Sequence, residues 1–344
     1  MELMRAAVMR DRTLVVADVP VPQPGPGEVL VRTLACGICG SDLHALKHAE
    51  KFVETERRAG LRVMDLGRDV VMGHEFCAEI VEHGPRTRRA LAIGTRVCSR
   101  PTLARESGPE SIGYSNDHPG GYGQYMRLSE ALLLEVPNGL ATEQAALTEP
   151  MAVGVHAVQK ARLEPDDVPL VIGCGPVGLA VIAALRLAKV GPIVAADFSP
   201  HRRALATLLG AHVVVDPAAT PPWPRWRAAA GGRPALVFEC VGVPGLLDQS
   251  MVAAPRGARI VVVGVCMEAD TIHPLLGIVK ELSFQFVLGY TQDEFAATLG
   301  HIAEGRIPTA PLITGHVGID GVAAAFEALA SPERHAKVLV RPHA

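Results

Sequence analysis

The pattern of apolar and polar residues changes character near residue 150. Up to that point the apolar runs are short. Leu14–Val19, Glu28–Leu34 and Glu79–Glu82 read as strands, and Pro20, Pro22, Pro24, Gly25, Pro26 and Gly27 separate the first two. Such punctuation predicts an all-β, barrel-like module. One stretch differs: Lys47–Asp69 is densely charged and holds no turn residue until Gly60, so Ala49–Arg58 is predicted helical. From about Met151 apolar strands alternate with helical stretches. The predicted strands are Leu170–Ile172, Ile193–Ala196, Val213–Val215, Ala235–Glu239 and Arg259–Val263. The predicted helices between them are Val177–Lys189, Pro200–Leu209 and Gly245–Ala254. This alternation predicts a parallel sheet covered by helices. Pro221, Pro222 and Pro224 shorten one crossover. After residue 290 the pattern reads as a helix Thr291–Glu304, a helix Gly321–Ala330 and a last strand Ala336–Arg341.

The chain has 344 residues, about two domains at roughly 150 residues each. Hydrophobic residues make up 49% and charged residues 20%, enough apolar material for a sizeable core. A net charge of -3 argues against a nucleic-acid partner, which selects a basic face. Aromatic residues, at 4%, are too few for base-stacking platforms. Val168–Leu185 is uncharged, but Gly173, Gly175, Pro176 and Gly178 break it into strand, turn and helix start, so no membrane partner is expected. Met1–Val8 lacks the apolar core of a signal peptide, and the expected location is cytoplasmic. Seven cysteines, at 36, 39, 77, 98, 174, 240 and 266, are odd in number and irregular in spacing, which disfavours a disulfide framework.

Gly173-Cys174-Gly175-Pro176-Val177-Gly178 matches G-x-G-x-x-G directly after a predicted strand and at the start of a predicted helix. That context makes it a dinucleotide-binding turn. Gly173 permits the tight turn, Gly175 lets the backbone approach a pyrophosphate, and Gly178 lets helix and strand pack closely. The helix that Pro176 and Val177 begin offers main-chain N–H groups, from Val177 onward, to the phosphates. Asp197 ends the next strand, where a carboxylate can accept from ribose hydroxyls and repel a 2′-phosphate, so NAD is favoured over NADP. Arg202 and Arg203 stand close enough in sequence to soften that bias.

Cys36-Gly37-Ile38-Cys39-Gly40-Ser41-Asp42-Leu43-His44 concentrates reactive residues, followed by Gly73-His74-Glu75 and Thr148-Glu149-Pro150. A catalytic zinc takes three protein ligands and keeps a position open. Thiolate, neutral imidazole and carboxylate together would neutralise the ion. Each residue taken singly also fits buried packing, a core hydrogen bond or a helix start.

With these motifs the sequence resembles the zinc-dependent medium-chain dehydrogenase/reductase family, which includes alcohol, sorbitol, butanediol and threonine dehydrogenases. The resemblance also includes P-G-G-Y-G-Q-Y at 119–125, E-P-M-A-V-G-V-H at 149–156, F-E-C-V-G at 238–242 and K-V-L-V at 337–340. It implies an α/β protein in which a GroES-like barrel, 1–150 completed by 290–344, joins a Rossmann domain, 151–289, with the active site between them. It implies that Cys39, His74 and Glu149 bind zinc and that Glu75 is the carboxylate beside the metal. Asp42 would orient the His ligand, and Cys36 would not bind. Ser41 and His44 match a proton relay running through the nicotinamide ribose. The implied reaction moves a hydride between an alcohol and NAD, with a secondary alcohol or polyol favoured. A zinc-free reductase and a non-catalytic NAD(H)-binding protein are the alternatives on this fold. A homodimer or homotetramer is expected, with Ser283–Leu288 as an apolar edge strand.

Two departures stand out. Many relatives hold a structural zinc in a four-Cys lobe, but the matching region, about 98–118, contains only Cys98, so about one zinc per chain is expected. The charged segment between His44 and Gly73 is also longer than usual, and reads as a solvated helix, a lid or a subunit contact.

Overall fold

The computed structural model describes residues 2–106, 108–329, 331 and 333–344. Internal contacts divide them into two units. The first comprises the chain up to Glu149 with Phe295–Ala303 and Ile313–Ala344, and the second comprises Pro150–Glu294 with Glu304–Leu312.

The first unit is built on a sheet whose strands run Ile313–Val317, Lys337–Val340, Glu28–Gly37, Glu75–His83, Arg96–Cys98 and Leu134–Glu135, with Tyr125–Ser129 also paired to Glu28–Gly37. Glu28–Gly37 is the axis of this sheet. Glu75–His83 lies antiparallel along one side of it, Gly37 opposite Glu75, and on the other side Leu339 and Val340 pair with Gly37 and Cys36. Val29, Val31, Phe76, Ile80, Met126 and Leu128 form part of the buried core beneath.

The second unit is a parallel sheet in the order Val213–Val215, Val194–Ala196, Val168–Ile172, Ala235–Glu239, Arg259–Val262, Ser283–Phe286. The first strand in sequence, Val168–Ile172, lies next to the fourth, Ala235–Glu239. That reversal is the switch point of a doubly wound sheet, where ligands bind at the carboxyl ends of the strands. The mixed α/β architecture expected from the resemblance is therefore present.

Several elements depart from the expected pattern. The first 150 residues are not all-β. They contain the helices Gly40–Lys47 and Thr142–Ala146, and Thr148–Lys160 begins there. The first two are too short to show a helical period, and tertiary packing fixes them. Ala49–Arg58 is helical as expected. The proline-rich crossover holds a helix, Pro222–Ala230. Its prolines fall in the first turn, where a missing N–H costs nothing. Trp223, Trp226 and Ala230 are its buried face, and Trp226 Nε1 donates to the Val168 carbonyl at 2.9 Å. The helix predicted over Gly321–Ala330 spans Val322–Leu329, and Ala330 lies outside the described residues. Among the described residues no helix is long and apolar enough to cross a membrane.

Candidate active site

Cys39, His74 and Glu75 come together from two neighbouring elements. Cys39 precedes the helix Gly40–Lys47, and His74 precedes the strand whose first residue is Glu75. One donor atom from each lies within 4.8 Å of the others, and among the described residues this is the one group of three such side chains. Atoms about 2 Å from a common ion would be spaced this way, and the mixture of sulfur, imidazole and carboxylate suits zinc. His74 and Glu75 are buried and Cys39 is partly exposed, so the cluster opens on its thiol side.

Asp42 organises the cluster from below. Its Oδ2 accepts from Tyr122 Oη at 2.6 Å and from the Cys39 N–H at 3.1 Å. Its Oδ1 faces His74 Nδ1 at 3.3 Å, which leaves the other ring nitrogen for a cation. Complete burial opposes the Asp42 charge, yet His74 and the two tyrosine hydroxyls Tyr122 and Tyr114 hold its carboxyl below the ordinary value. For His74, burial likewise opposes a positive charge, but Asp42 and then Cys39 raise the imidazole well above its ordinary value. A metal ion needs His74 neutral and would take the place of that proton.

Glu75 has a second partner. Lys337, on the last strand, places Nζ 2.7 Å from both Glu75 oxygens and 3.1 Å from the Ile38 carbonyl. The two side chains are 3% and 0% exposed, so the pair is a fully desolvated charge contact. Burial works against the Lys337 charge, and Glu75, Cys39 and Glu149 more than offset it, leaving the amine above its ordinary pKa. Glu75 fits here because Gly37 faces it: a Cβ on Gly37 would come within 2.0 Å of Glu75 Oε2. Glu149 stands at the start of Thr148–Lys160, 8% exposed and within electrostatic reach of Lys337, but outside the group of three donors.

Ser41 and His44 lie on the helix Gly40–Lys47. Ser41 Oγ is 2.9 Å from Tyr114 Oη. His44 is partly buried in the last turn, and burial, then His48 and Lys47, push its imidazole below 6.5. Cys36 is buried, and burial raises its thiol far above the ordinary value, consistent with an inert packing residue.

In the second unit the glycine turn follows Val168–Ile172 and opens the helix Pro176–Leu187. Gly173 has φ +91°, and a Cβ on Gly178 would lie 1.9 Å from the Gly173 carbonyl oxygen. Gly175 faces open space, with Arg202 Nη1 3.8 Å from where its Cβ would be. No side chain caps the helix at Gly175, so its first N–H groups are free for an anion. Pro176 and Val177 form the first helical residues. Asp197 is held by two main-chain donors, Cys174 N–H on Oδ2 at 2.7 Å and Ser199 N–H on Oδ1 at 2.8 Å. The two arginines differ. Arg203 is tied to the Asp197 and Phe198 carbonyls and to Asp216, whereas the buried Arg202 Nε has no hydrogen-bond partner.

Comparison with known proteins agrees with both halves. Residues 25–138 match the alcohol dehydrogenase GroES-like domain, and residues 176–304 match the zinc-binding dehydrogenase domain. The (R,R)-butanediol dehydrogenase of Bacillus subtilis (strain 168) is 34% identical over 94% of each chain. The chain belongs to the zinc-dependent medium-chain dehydrogenases. A sorbitol dehydrogenase of the same organism is 27% identical over 99% of this chain and 98% of its own length. The crystal structure of 2R,3R-butanediol dehydrogenase from Bacillus subtilis superposes with a TM-score of 0.84, at 30% identity, over 98% of this chain and 99% of that one. This medium-chain dehydrogenase is accordingly an oxidoreductase that uses zinc and NAD to interconvert an alcohol and a carbonyl compound.

Within the family frame, the region where a four-Cys lobe would lie is built differently. The Cys98 thiol donates to the Ala145 carbonyl at 3.3 Å. Asp117 pairs with Arg68 at 2.8 Å, and His118 lies between Glu110 at 2.8 Å and Arg127 at 2.9 Å. Motif reading also passed over three residues of the site. Lys337 was legible as a charge at the head of an otherwise apolar strand, and Tyr122 as the aromatic residue of P-G-G-Y. Tyr114 carries no sequence signal.

Proposed function

We propose that Cys39, His74 and Glu149 hold the zinc, that Glu75 stays beside it as the counterion of Lys337, and that the substrates are secondary alcohols with a neighbouring hydroxyl, diols or polyols. The observation that carries the ligand assignment is the Lys337 ammonium on both Glu75 oxygens. It neutralises Glu75 and leaves thiolate and Glu149 carboxylate to balance a divalent ion. The substrate class rests on the butanediol and sorbitol dehydrogenases among the relatives.

When bound, zinc supplies a Lewis acid that lowers the pKa of the substrate hydroxyl, and NAD accepts the hydride. The chain's own residues do the rest. Asp42 fixes the tautomer and tilt of His74, a usual arrangement behind a metal-binding imidazole. Ser41 takes the hydroxyl proton, and His44 passes it to solvent. Gly173, Gly175, Pro176, Val177 and Gly178 cradle the pyrophosphate, Asp197 holds the adenosine ribose, and Arg202 lies over the turn. In this reading residues 1–150, completed by 290–344, form the catalytic domain and 151–289 bind the coenzyme.

Leu275, Ile278, Val279, Phe286 and Leu288 are each more than 60% exposed, clustered at or near the edge strand Ser283–Phe286. An uncovered apolar edge invites pairing, so a second copy covers it, giving a homodimer or homotetramer in the cytoplasm. Light scattering at micromolar concentration checks the assembly.

The deciding experiment is an NAD-reduction screen over butane-2,3-diol, sorbitol, simple secondary and primary alcohols and 3-hydroxy amino acids, with zinc quantified on the same sample. Turnover led by diols or polyols at about one zinc per chain is expected. Turnover confined to primary alcohols would overturn the substrate class. NADP used as well as NAD would show that Arg202 outweighs Asp197.

A further inference from the structure

Tyr114 belongs to the stretch 110–118, outside every motif, yet it reaches the centre of the site. Its Oη lies 2.9 Å from Ser41 Oγ and 2.8 Å from Asp42 Oδ1. Its ring centroid is 5.3 Å from that of His74 and 5.3 Å from that of Phe52 on the charged helix. A phenol has one proton, and an ionised carboxylate can only accept. The Tyr114 proton is therefore committed to Asp42, and in the other contact the Ser41 hydroxyl is the donor. The serine oxygen is thereby fixed with its lone pairs turned away from Tyr114.

The loop that carries Tyr114 is clamped from outside by the long charged segment. Arg62 pairs with Glu110, and Arg68 pairs with Asp117 at 2.8 Å. Asn116 is the hub between them. Its Oδ1 accepts from the Asp65 N–H at 2.7 Å, and its Nδ2 donates to the Asp65 carbonyl at 2.9 Å. The two departures from the family pattern, a cysteine-poor lobe and a lengthened charged segment, are thus in contact with each other.

We propose that Tyr114 is a positioning residue of the dehydrogenase reaction. It holds the Ser41 oxygen with a lone pair available to the reacting hydroxyl, and residues 62–69 hold Tyr114 in place. This rests on Ser41 being the group that receives the substrate proton. In the waiting state the Ser41 hydroxyl keeps its proton and donates it in a hydrogen bond to Tyr114 Oη. As Ser41 receives a proton from the alcohol, its own O–H turns away from Tyr114 and gives its proton up to the relay that ends at His44, so no net charge accumulates on the serine.

The test compares wild type, Tyr114→Phe, Ser41→Ala and the double variant as full-length, zinc-loaded protein. Phenylalanine keeps the ring packing and removes only the hydroxyl. Tyr114→Phe should keep its zinc, leave KM for NAD unchanged and lower kcat about tenfold, a small share of what a positioned proton acceptor contributes. In chemical denaturation the double variant should lose less than the sum of the two single losses. Additive losses, a wild-type kcat, or loss of zinc from Tyr114→Phe would each overturn the proposal. Asn116→Ala should raise deuterium uptake across 110–118 and lower kcat in the same direction; unchanged uptake would remove the clamp. If the unfolding effects are coupled but wild type oxidises no alcohol, the functional reading fails and the hydrogen bond stands. If wild type is active and the effects are uncoupled, the Tyr114 role alone fails.

Discussion

The metal cluster and the nucleotide turn are built in opposite ways. The cluster is made of side chains: Cys39, Asp42, His74, Glu75, Tyr122 and Lys337 come from distant parts of the chain, and each has a specific partner. The turn is made of main chain. Its working parts are the N–H groups at the start of Pro176–Leu187 and two places where no Cβ fits, with Asp197 anchored there by the Cys174 N–H. A site made of side chains fails when one chemical group is removed. A site made of main chain fails when one atom is added.

Cys39→Ala should give the largest effect. With the thiolate gone, zinc content should fall toward zero and alcohol oxidation should drop by at least about a thousandfold, the several kcal/mol a Lewis acid supplies. Elemental analysis alongside turnover checks this, and a variant that kept both metal and activity would end the assignment. Lys337→Met comes next. It strands Glu75 in the interior, and breaking one side of a buried pair costs about 3 kcal/mol or more. Denaturant unfolding should report that loss, while a change under about 1 kcal/mol would mean the pair does not tie its strands together.

Gly178→Ala probes the opposite half. A methyl group 1.9 Å from the Gly173 carbonyl oxygen forces helix and strand apart. NADH binding should weaken about thirtyfold, equivalent to about 2 kcal/mol, with zinc content untouched. NADH fluorescence titration and metal analysis on the same variant would separate the two halves, and a simultaneous loss of zinc would break the contrast.

The smallest effect concerns His44. Burial and its cationic neighbours hold its imidazole below 6.5, so the neutral, proton-accepting form persists to lower pH than for a free histidine. The stability linked to that neutral form is complete above the unfolded value and is lost as pH falls through the lower folded value. Replacement by alanine should therefore slow alcohol oxidation most on the acid side, about tenfold near pH 6. A pH–rate profile with the same shape as wild type would place His44 outside the proton path.

The same contrast explains how much was legible in the sequence. The nucleotide turn is one continuous run after one strand, so its glycines could be assigned from spacing, and the parallel sheet followed from alternation. Cys39 and His74 were legible because their motifs are short. Tyr114 was not, since nothing near it in sequence indicates that Asn116 and Asp65 would fold its loop onto Ser41. The helix Pro222–Ala230 was hidden by prolines that break a helix interior but suit its first turn. Lys337 reads in sequence only as the head of a short strand, while its partner lies 262 positions earlier.

That separation sets an order of events during synthesis. Glu75 is made long before the lysine that neutralises it, and at ordinary elongation rates of about 5–20 residues per second the wait is roughly ten to fifty seconds. By the end of that interval the second unit, whose sheet strands all fall between Val168 and Phe286 and whose last segment is Glu304–Leu312, has been made in full. The metal side of the enzyme stays an open sheet with an uncompensated acid until its last strand arrives. A chain interrupted shortly before Lys337 would carry a complete coenzyme unit and a metal side still missing the charge that balances Glu75.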